Sequence, residues 1–160
     1  GGASNFGTAY AKAQLAAGQR LPNSGKAFIS VNDEDKANVV RIARGLSDLG
    51  FVLLASRGTA AYLRAHGVDT EVIFKINEGR PHVGDKLLNR EIDLVVNTPL
   101  GRESFFDDIT VRRIAMTLSV PCVTTLTGAA ATVSAIQALR KTALGVRPLQ
   151  AYHADLAAKL

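Results

Sequence analysis

The chain alternates short, almost wholly apolar segments with longer segments in which apolar residues recur every three or four positions. In residues 33–49, for example, Val39, Ile42 and Leu46 form one stripe. The pattern predicts strands at 27–31, 51–55, 71–75, 93–97 and 121–124, and helices at 33–49, 59–65, 81–89, 108–118 and 128–140. Strands that are apolar on both faces and separated by helices are typical of a covered parallel sheet. The sequence therefore predicts an α/β fold, a doubly wound three-layer sandwich with a five-stranded, mainly parallel sheet.

Composition narrows the class of protein. The 160 residues are 47% hydrophobic and 21% charged, as in one soluble globular domain and unlike a disordered segment. No apolar run approaches the roughly 20 residues of a membrane span, so no membrane association is expected. A lone cysteine, Cys122, permits no disulfide within the chain and favours a reducing, cytoplasmic location.

The net charge of +5 is compatible with nucleic acid or with a phosphorylated small molecule. Lys and Arg are scattered, aromatic residues make up 6% and Trp is absent, which argues against a nucleic-acid surface. A phosphate ligand needs only one or two well-placed cations. The charge therefore permits a phosphate site without identifying one.

A change in composition near residue 25 predicts a boundary. Residues 1–24 are interpreted as a tag remnant, an Ala-rich connecting helix at 6–15 and a linker, and residues 25–160 as one domain. The polar residues 1–5 predict no signal peptide.

Ligands of doubly wound sheets bind outside the carboxyl ends of the strands, so the residues after each strand are the candidates for a site. The turn from Ser56 to Thr59 follows a strand, contains Gly58 and opens a helix, which favours an anion site. The alternative is an ordinary turn that Thr59 caps. Lys75 at a strand end and Lys36 at a helix start each either face an anion or lie in solvent.

Other polar clusters have ordinary structural explanations. Residues 77–82 could perform acid–base chemistry, but a loop with a Glu78–Arg80 pair is favoured. Asp107 and Asp108 suit the first turn of a helix. One cysteine and three scattered histidines predict no metal site, and no phosphate-binding fingerprint of the usual glycine-rich kinds occurs. No catalytic residue is assigned.

One ordered set of residues resembles a known family. The set comprises Ser30-Val31, Asp35-Lys36, the turn Ser56-Arg57-Gly58-Thr59, Lys75, Glu78-Gly79-Arg80-Pro81-His82, Asn97-Thr98 and Thr124-Thr125. In this order and spacing they resemble the C-terminal allosteric domain of the carbamoyl phosphate synthetase large subunit, a methylglyoxal-synthase-like domain. The resemblance extends from about residue 6 to about residue 138.

The resemblance implies a regulatory module that is not catalytic by itself, without a cofactor of its own. It implies UMP and IMP as effectors, with ornithine as a further one near Thr124. The effector-binding residues that it implies are Ser30, Lys36, Ser56, Gly58, Thr59, Lys75, Asn97, Thr98 and Thr124. The implied partners are the rest of the large subunit and the glutaminase small subunit, in an ATP-dependent ligase that uses Mg or Mn and serves arginine and pyrimidine synthesis. Two positions depart from the family pattern: Ser56 replaces a Thr, and Pro99 replaces a second Thr.

Two other functions stay open at this point. A methylglyoxal synthase of the same fold would eliminate phosphate from dihydroxyacetone phosphate, with Asp85 as the nearest candidate base. The glycine-rich loop that this enzyme uses does not precede Asp85, and its histidine near Asp107 is missing. A nucleic-acid or protein-interaction module would depend on charge alone.

Overall fold

Five strands form one sheet in residues 20–99 and 101–145, the parts of the chain that this computed structural model describes. The strands are β1 (Lys26–Ser30), β2 (Val52–Ala55), β3 (Glu71–Val72), β4 (Leu94–Asn97) and β5 (Cys122–Val123). Their order is β3-β2-β1-β4-β5, and every neighbouring pair is parallel. The predicted parallel α/β sheet is confirmed.

Helices make the connections between the parallel strands. They are α1 (Lys36–Asp48), α2 (Arg57–Ala65), α3 (Val83–Leu88), α4 (Phe105–Thr117) and α5 (Leu126–Gly145), with short 3-10 turns at Asp33–Asp35 and Arg102–Ser104. None of the helices in the described residues is both long enough and apolar enough to cross a bilayer.

The two faces of the sheet bury separate cores, because successive strand residues point to opposite faces. Ile29 of β1 packs in a cluster with α1, α2 and α5, whereas its neighbour Phe28 packs in a second cluster with α3 and α4. The three predicted layers are therefore helices, sheet and helices.

The strand order places a switch point between β1 and β4. The chain moves outward from β1 through β2 to β3, then returns to β4 on the other side of β1. At the carboxyl edge Ser30 and Asn97 are register partners. Ligands of open α/β sheets bind at the carboxyl edge beside such a switch point.

The predicted strand 71–75 is wrong in its length. The strand β3 ends at Val72, Phe74 makes only an isolated bridge with His82, and Lys75 lies beyond it in a turn. The turn is closed by two bonds: the N–H of Glu78 donates to the Lys75 carbonyl at 3.0 Å, and the N–H of Lys75 donates to Glu78 Oε1 at 2.8 Å. An edge strand paired on one side only is easily ended by such local bonds.

Several predicted element ends shift. Residues 33–35 form a 3-10 turn instead of helix, because the Asn32 side chain accepts the N–H of Asp35 and delays α1 to Lys36. His82 caps α3, so that helix starts at Val83 instead of residue 81. The helices α2, α4 and α5 start earlier than predicted, α5 also runs on to Gly145, and the strand predicted at 121–124 shortens to β5. The helix predicted at 6–15 lies outside the described residues.

Candidate functional site

An open cavity of about 230 Å³ lies at the carboxyl edge of β1 and β2. Five of the nine predicted site residues line it, namely Lys36, Ser56, Gly58, Thr59 and Lys75. The other lining residues are Val31, Asn32 and Asp33. A larger groove of about 770 Å³ runs between α1 and α5, and none of the predicted site residues lines it.

The start of α2 supplies backbone donors to this cavity. Ser56 occupies the capping position with extended backbone, and its side chain does not cap the helix. The first N–H groups of a helix have no acceptor within the helix, and they carry the positive end of its dipole. The ammonium of Lys36 lies against this turn, with Nζ 3.4 Å from the position that a Cβ of residue 58 would occupy. The uncapped start and the ammonium together favour an anion.

Three buried hydroxyls form a directed chain beneath the turn. Ser30 Oγ lies 3.0 Å from Ser56 Oγ, Ser56 Oγ donates to Thr59 Oγ1 at 3.3 Å, and the N–H of Val31 donates to the same Thr59 oxygen at 3.2 Å. Ser56 has one proton and gives it to Thr59, so Ser30 must be the donor to Ser56. Thr59 Oγ1 already accepts twice, and no described residue accepts its own proton. That proton is free to donate to an acceptor in the cavity.

We expect Thr59→Val to lower the free energy of unfolding by about 1–3 kcal/mol, because the buried N–H of Val31 loses its acceptor. Urea denaturation measures the difference. The matched control is Thr132→Val in α5, where the lost hydroxyl only donates to the carbonyl of Gly128, which the helix already uses. The control should cost less than about 1 kcal/mol. Equal costs for the two variants would contradict the proposed hydroxyl chain.

A second, narrow cavity of about 10 Å³ adjoins the first through Lys75, which lines both. Ser30 and Asn97 line it with the acidic pair of α4. The Asn97 amide donates to Asp108 Oδ1 at 3.2 Å, and the N–H of Asn77 donates to Asp107 Oδ2 at 3.2 Å. The acidic pair lies in the first turn of α4, as predicted.

The remaining two predicted residues lie elsewhere. The Thr98 hydroxyl accepts the N–H of Asn32 at 3.0 Å and so connects the loop before α1 to the end of β4. Thr98 is buried and lines neither cavity. Thr124 follows β5 and also lines neither.

Two carboxylates that the sequence analysis did not assign to the site form ion pairs near it: Asp33 with Lys36, which lines the first cavity, and Glu78 with Arg57, which lines neither cavity. Asp33 pairs with Lys36, and this ammonium lowers the pKa of the Asp33 carboxyl. Glu78 Oε2 lies 3.7 Å from the Arg57 guanidinium. The predicted Glu78–Arg80 pair is wrong, because Arg80 instead contacts Asp85 at 3.0 Å. The spacing of Asp33 and Lys36 in a first turn is a local signal that could have indicated their pairing.

Asp85, the candidate base of the lyase alternative, is already hydrogen-bonded within the protein. Asp85 lines neither cavity, and it completes a reciprocal cap of α3 by accepting the N–H of His82 at 3.0 Å. This backbone N–H, with the Arg80 side chain, holds the pKa of the Asp85 carboxyl below its usual range. A carboxylate with a low pKa is a weak proton acceptor. Within residues 20–99 and 101–145, no group of His, Cys, Asp and Glu is arranged to hold a metal ion.

Comparisons with known proteins agree with this architecture. The family model of the MGS-like domain matches residues 38–124. The carbamoyl phosphate synthase large chain of Acidobacterium capsulatum is 45% identical over 99% of this chain, which spans only 14% of that relative's length. The carbamoyl phosphate synthase large chain, C-terminal section, of Methanopyrus kandleri is 48% identical over 92% of this chain and 28% of its own length. The methylglyoxal synthase of Elizabethkingia anophelis NUHP1 superimposes with a TM-score of 0.56 at 19% identity, covering 71% of this chain and 80% of that one, which shows a shared fold.

Proposed function

The chain belongs to the MGS-like domain family, and from that premise we propose that it is the effector-binding, regulatory part of a carbamoyl phosphate synthase large chain. The proposed effectors are UMP and IMP, with ornithine as a further one. The observation that carries the proposal is the uncapped start of α2. Lys36 lies beside this helix start, and Lys75 lines the same cavity.

The chemistry of the cavity matches a phosphate group. A phosphate monoester offers acceptor oxygens and negative charge, and the cavity offers backbone N–H groups, the Thr59 proton and two ammonium groups. Its volume of about 230 Å³ holds a small ligand group instead of a whole cofactor. The adjoining cavity presents the Asn97 amide and the carboxylates of Asp107 and Asp108. At about 10 Å³ this second cavity is too small for a nucleoside, so the rest of the effector would lie outside it.

The lyase alternative receives less support from the same residues. Its candidate base, Asp85, is used in the cap of α3 and has a lowered pKa. The likeness to a methylglyoxal synthase is a likeness of fold, and a fold hosts many functions.

The regulatory role follows from differential affinity. An effector changes the activity of a whole enzyme only if it binds one of its states more tightly than another, and the shift is limited by that difference. The synthesis of carbamoyl phosphate, with ATP and Mg or Mn, would take place in other parts of the cytoplasmic large chain and with the glutaminase small subunit. This chain spans 14% of the length of the Acidobacterium capsulatum relative.

Calorimetric titration of this chain with UMP, IMP, uridine and ornithine tests the proposal. We expect saturable binding of UMP or IMP, and binding of uridine that is weaker by at least about tenfold because it lacks the phosphate. Equal affinity for UMP and uridine would show that the site does not bind the phosphate group. Phosphate release from dihydroxyacetone phosphate would favour the lyase, and salt-sensitive binding of DNA a nucleic-acid module.

A further inference from the structure

The cation beside the start of α2 is already in contact with a carboxylate. The Asp33 carboxylate contacts Lys36 Nζ, and both side chains line the 230 Å³ cavity. We propose that Asp33 is an internal competitor, which the phosphate group must displace from Lys36, and that it thereby lowers the affinity of the site. This inference depends on the phosphate site of the proposed function.

The exposure of the two partners makes the contact easy to exchange. The Asp33 side chain is 91% exposed, whereas that of Lys36 is 23% exposed. An exposed ion pair contributes little to stability, because water screens it. Lys36 Nζ also lies near Gly58, at the helix start that would receive the anion. The ammonium can therefore exchange the carboxylate for a phosphate without a large movement.

The position of Asp33 before α1 does not by itself explain the contact. Acidic residues near a helix start stabilise the helix dipole, and Asp33 is one of three in this turn. Glu34 and Asp35 supply the same favourable charge to the turn, yet Asp33 is the acid whose carboxylate pairs with Lys36 and lines the cavity. The helix start would keep two acidic residues if Asp33 were neutral.

The other carboxylate near the cavity, Glu78, does not line it and closes the turn at Lys75, so a substitution there is a less specific test. Glu78 lies 3.7 Å from Arg57, but its other oxygen accepts the N–H of Lys75 and closes the turn that holds this lysine. A substitution of Glu78 would change the position of Lys75 together with the charge. A substitution of Asp33 can remove the charge without removing a contact that holds the backbone.

The test compares Asp33→Asn with Glu34→Gln, using inorganic phosphate as the probe in calorimetric titrations. Each variant removes one negative charge from the same exposed turn, and circular dichroism checks that both fold. We expect Asp33→Asn to tighten phosphate binding by about threefold, the size typical of an exposed ion pair. Glu34→Gln should change the affinity by less than about half as much, because Glu34, unlike Asp33, does not line the cavity and its charge is screened by water.

A second readout follows the carboxyl group directly. Lys36 lowers the pKa of Asp33, so displacement of Lys36 by phosphate should raise that pKa in an NMR titration of the carboxyl carbon. If Asp33 serves only the helix start, the same titration shows no rise.

The outcomes distinguish a failure of the competition by Asp33 from a failure of the phosphate site itself. If the unaltered chain binds phosphate and Asp33→Asn binds it equally or more weakly, Asp33 positions Lys36 instead of competing for it, and the inference fails while the site stands. If neither chain binds phosphate, the phosphate site of the proposed function fails, and the inference fails with it.

Discussion

Lys75→Ala should weaken the binding of UMP or IMP by at least about tenfold, which corresponds to about 1.4 kcal/mol. Lys75 lines both cavities, so its loss removes a cation from the proposed phosphate site and a wall from the adjoining one. Charge-assisted hydrogen bonds to phosphate are among the stronger polar contacts in proteins, which sets the size of the expected loss. Calorimetric titration of the variant beside the unaltered chain measures it.

The matched control is Lys141→Ala, an exposed lysine of α5 that lines neither cavity. It removes the same charge from the molecule, so it measures how much of the loss comes from net charge alone. Losses of similar size in both variants would place the phosphate elsewhere. Urea denaturation of both variants should show unfolding free energies within about 0.5 kcal/mol of the unaltered chain, since both changes are at partly or fully exposed side chains.

Gly25→Ala should lower the free energy of unfolding by about 2–4 kcal/mol through backbone strain and steric overlap. Gly25 precedes β1 with a φ of +121°, a backbone conformation that L side chains rarely adopt. An added Cβ would overlap with Asp93 Oδ2, and this carboxylate accepts the N–H of Lys26 at 2.9 Å. The methyl group therefore has to move a side chain that anchors the first residue of the central strand. Chemical denaturation measures the change.

The control Gly50→Ala measures the cost of backbone strain without steric overlap. Gly50 also has a positive φ, of +88°, but a Cβ there would meet no atom within 4 Å. We expect it to cost about 1–2 kcal/mol from backbone conformation alone. A loss at Gly25 no greater than that at Gly50 would show that Asp93 moves aside freely.

The layers of the fold were predictable because they depend on periodicity. Strand residues such as Phe28 and Ile29 are both apolar, which a strand needs only when both faces are covered. The expectation of a site at the carboxyl edge came from the same pattern, since parallel strands put their carboxyl ends on one edge. These inferences need no knowledge of which strand neighbours which.

The details that the sequence analysis missed depend on local competition and on distant pairs. The strand β3 is short because Glu78 bonds to the N–H of Lys75, a contact that strand periodicity does not report. The partners of Glu78 and Arg80 were misassigned because Arg57 is distant from Glu78 in the sequence and adjacent to it only across the sheet edge. Pairing of this kind is decided by strand order, which a single sequence does not specify.

The chain of hydroxyls beneath α2 makes the cavity selective for groups that accept hydrogen bonds. The N–H of Val31 can only donate, so the Thr59 oxygen accepts from it and from the Ser56 hydroxyl. Thr59 can therefore offer a ligand in the cavity only its own proton. A group that must itself donate a proton at this point finds no acceptor in Thr59. The cavity should therefore bind a sulfate monoester, whose oxygens accept hydrogen bonds, in place of a phosphate monoester, and should bind a group that offers only donors, such as an ammonium, poorly. The N–H of Val31 and the proton of Ser56 together set this polarity.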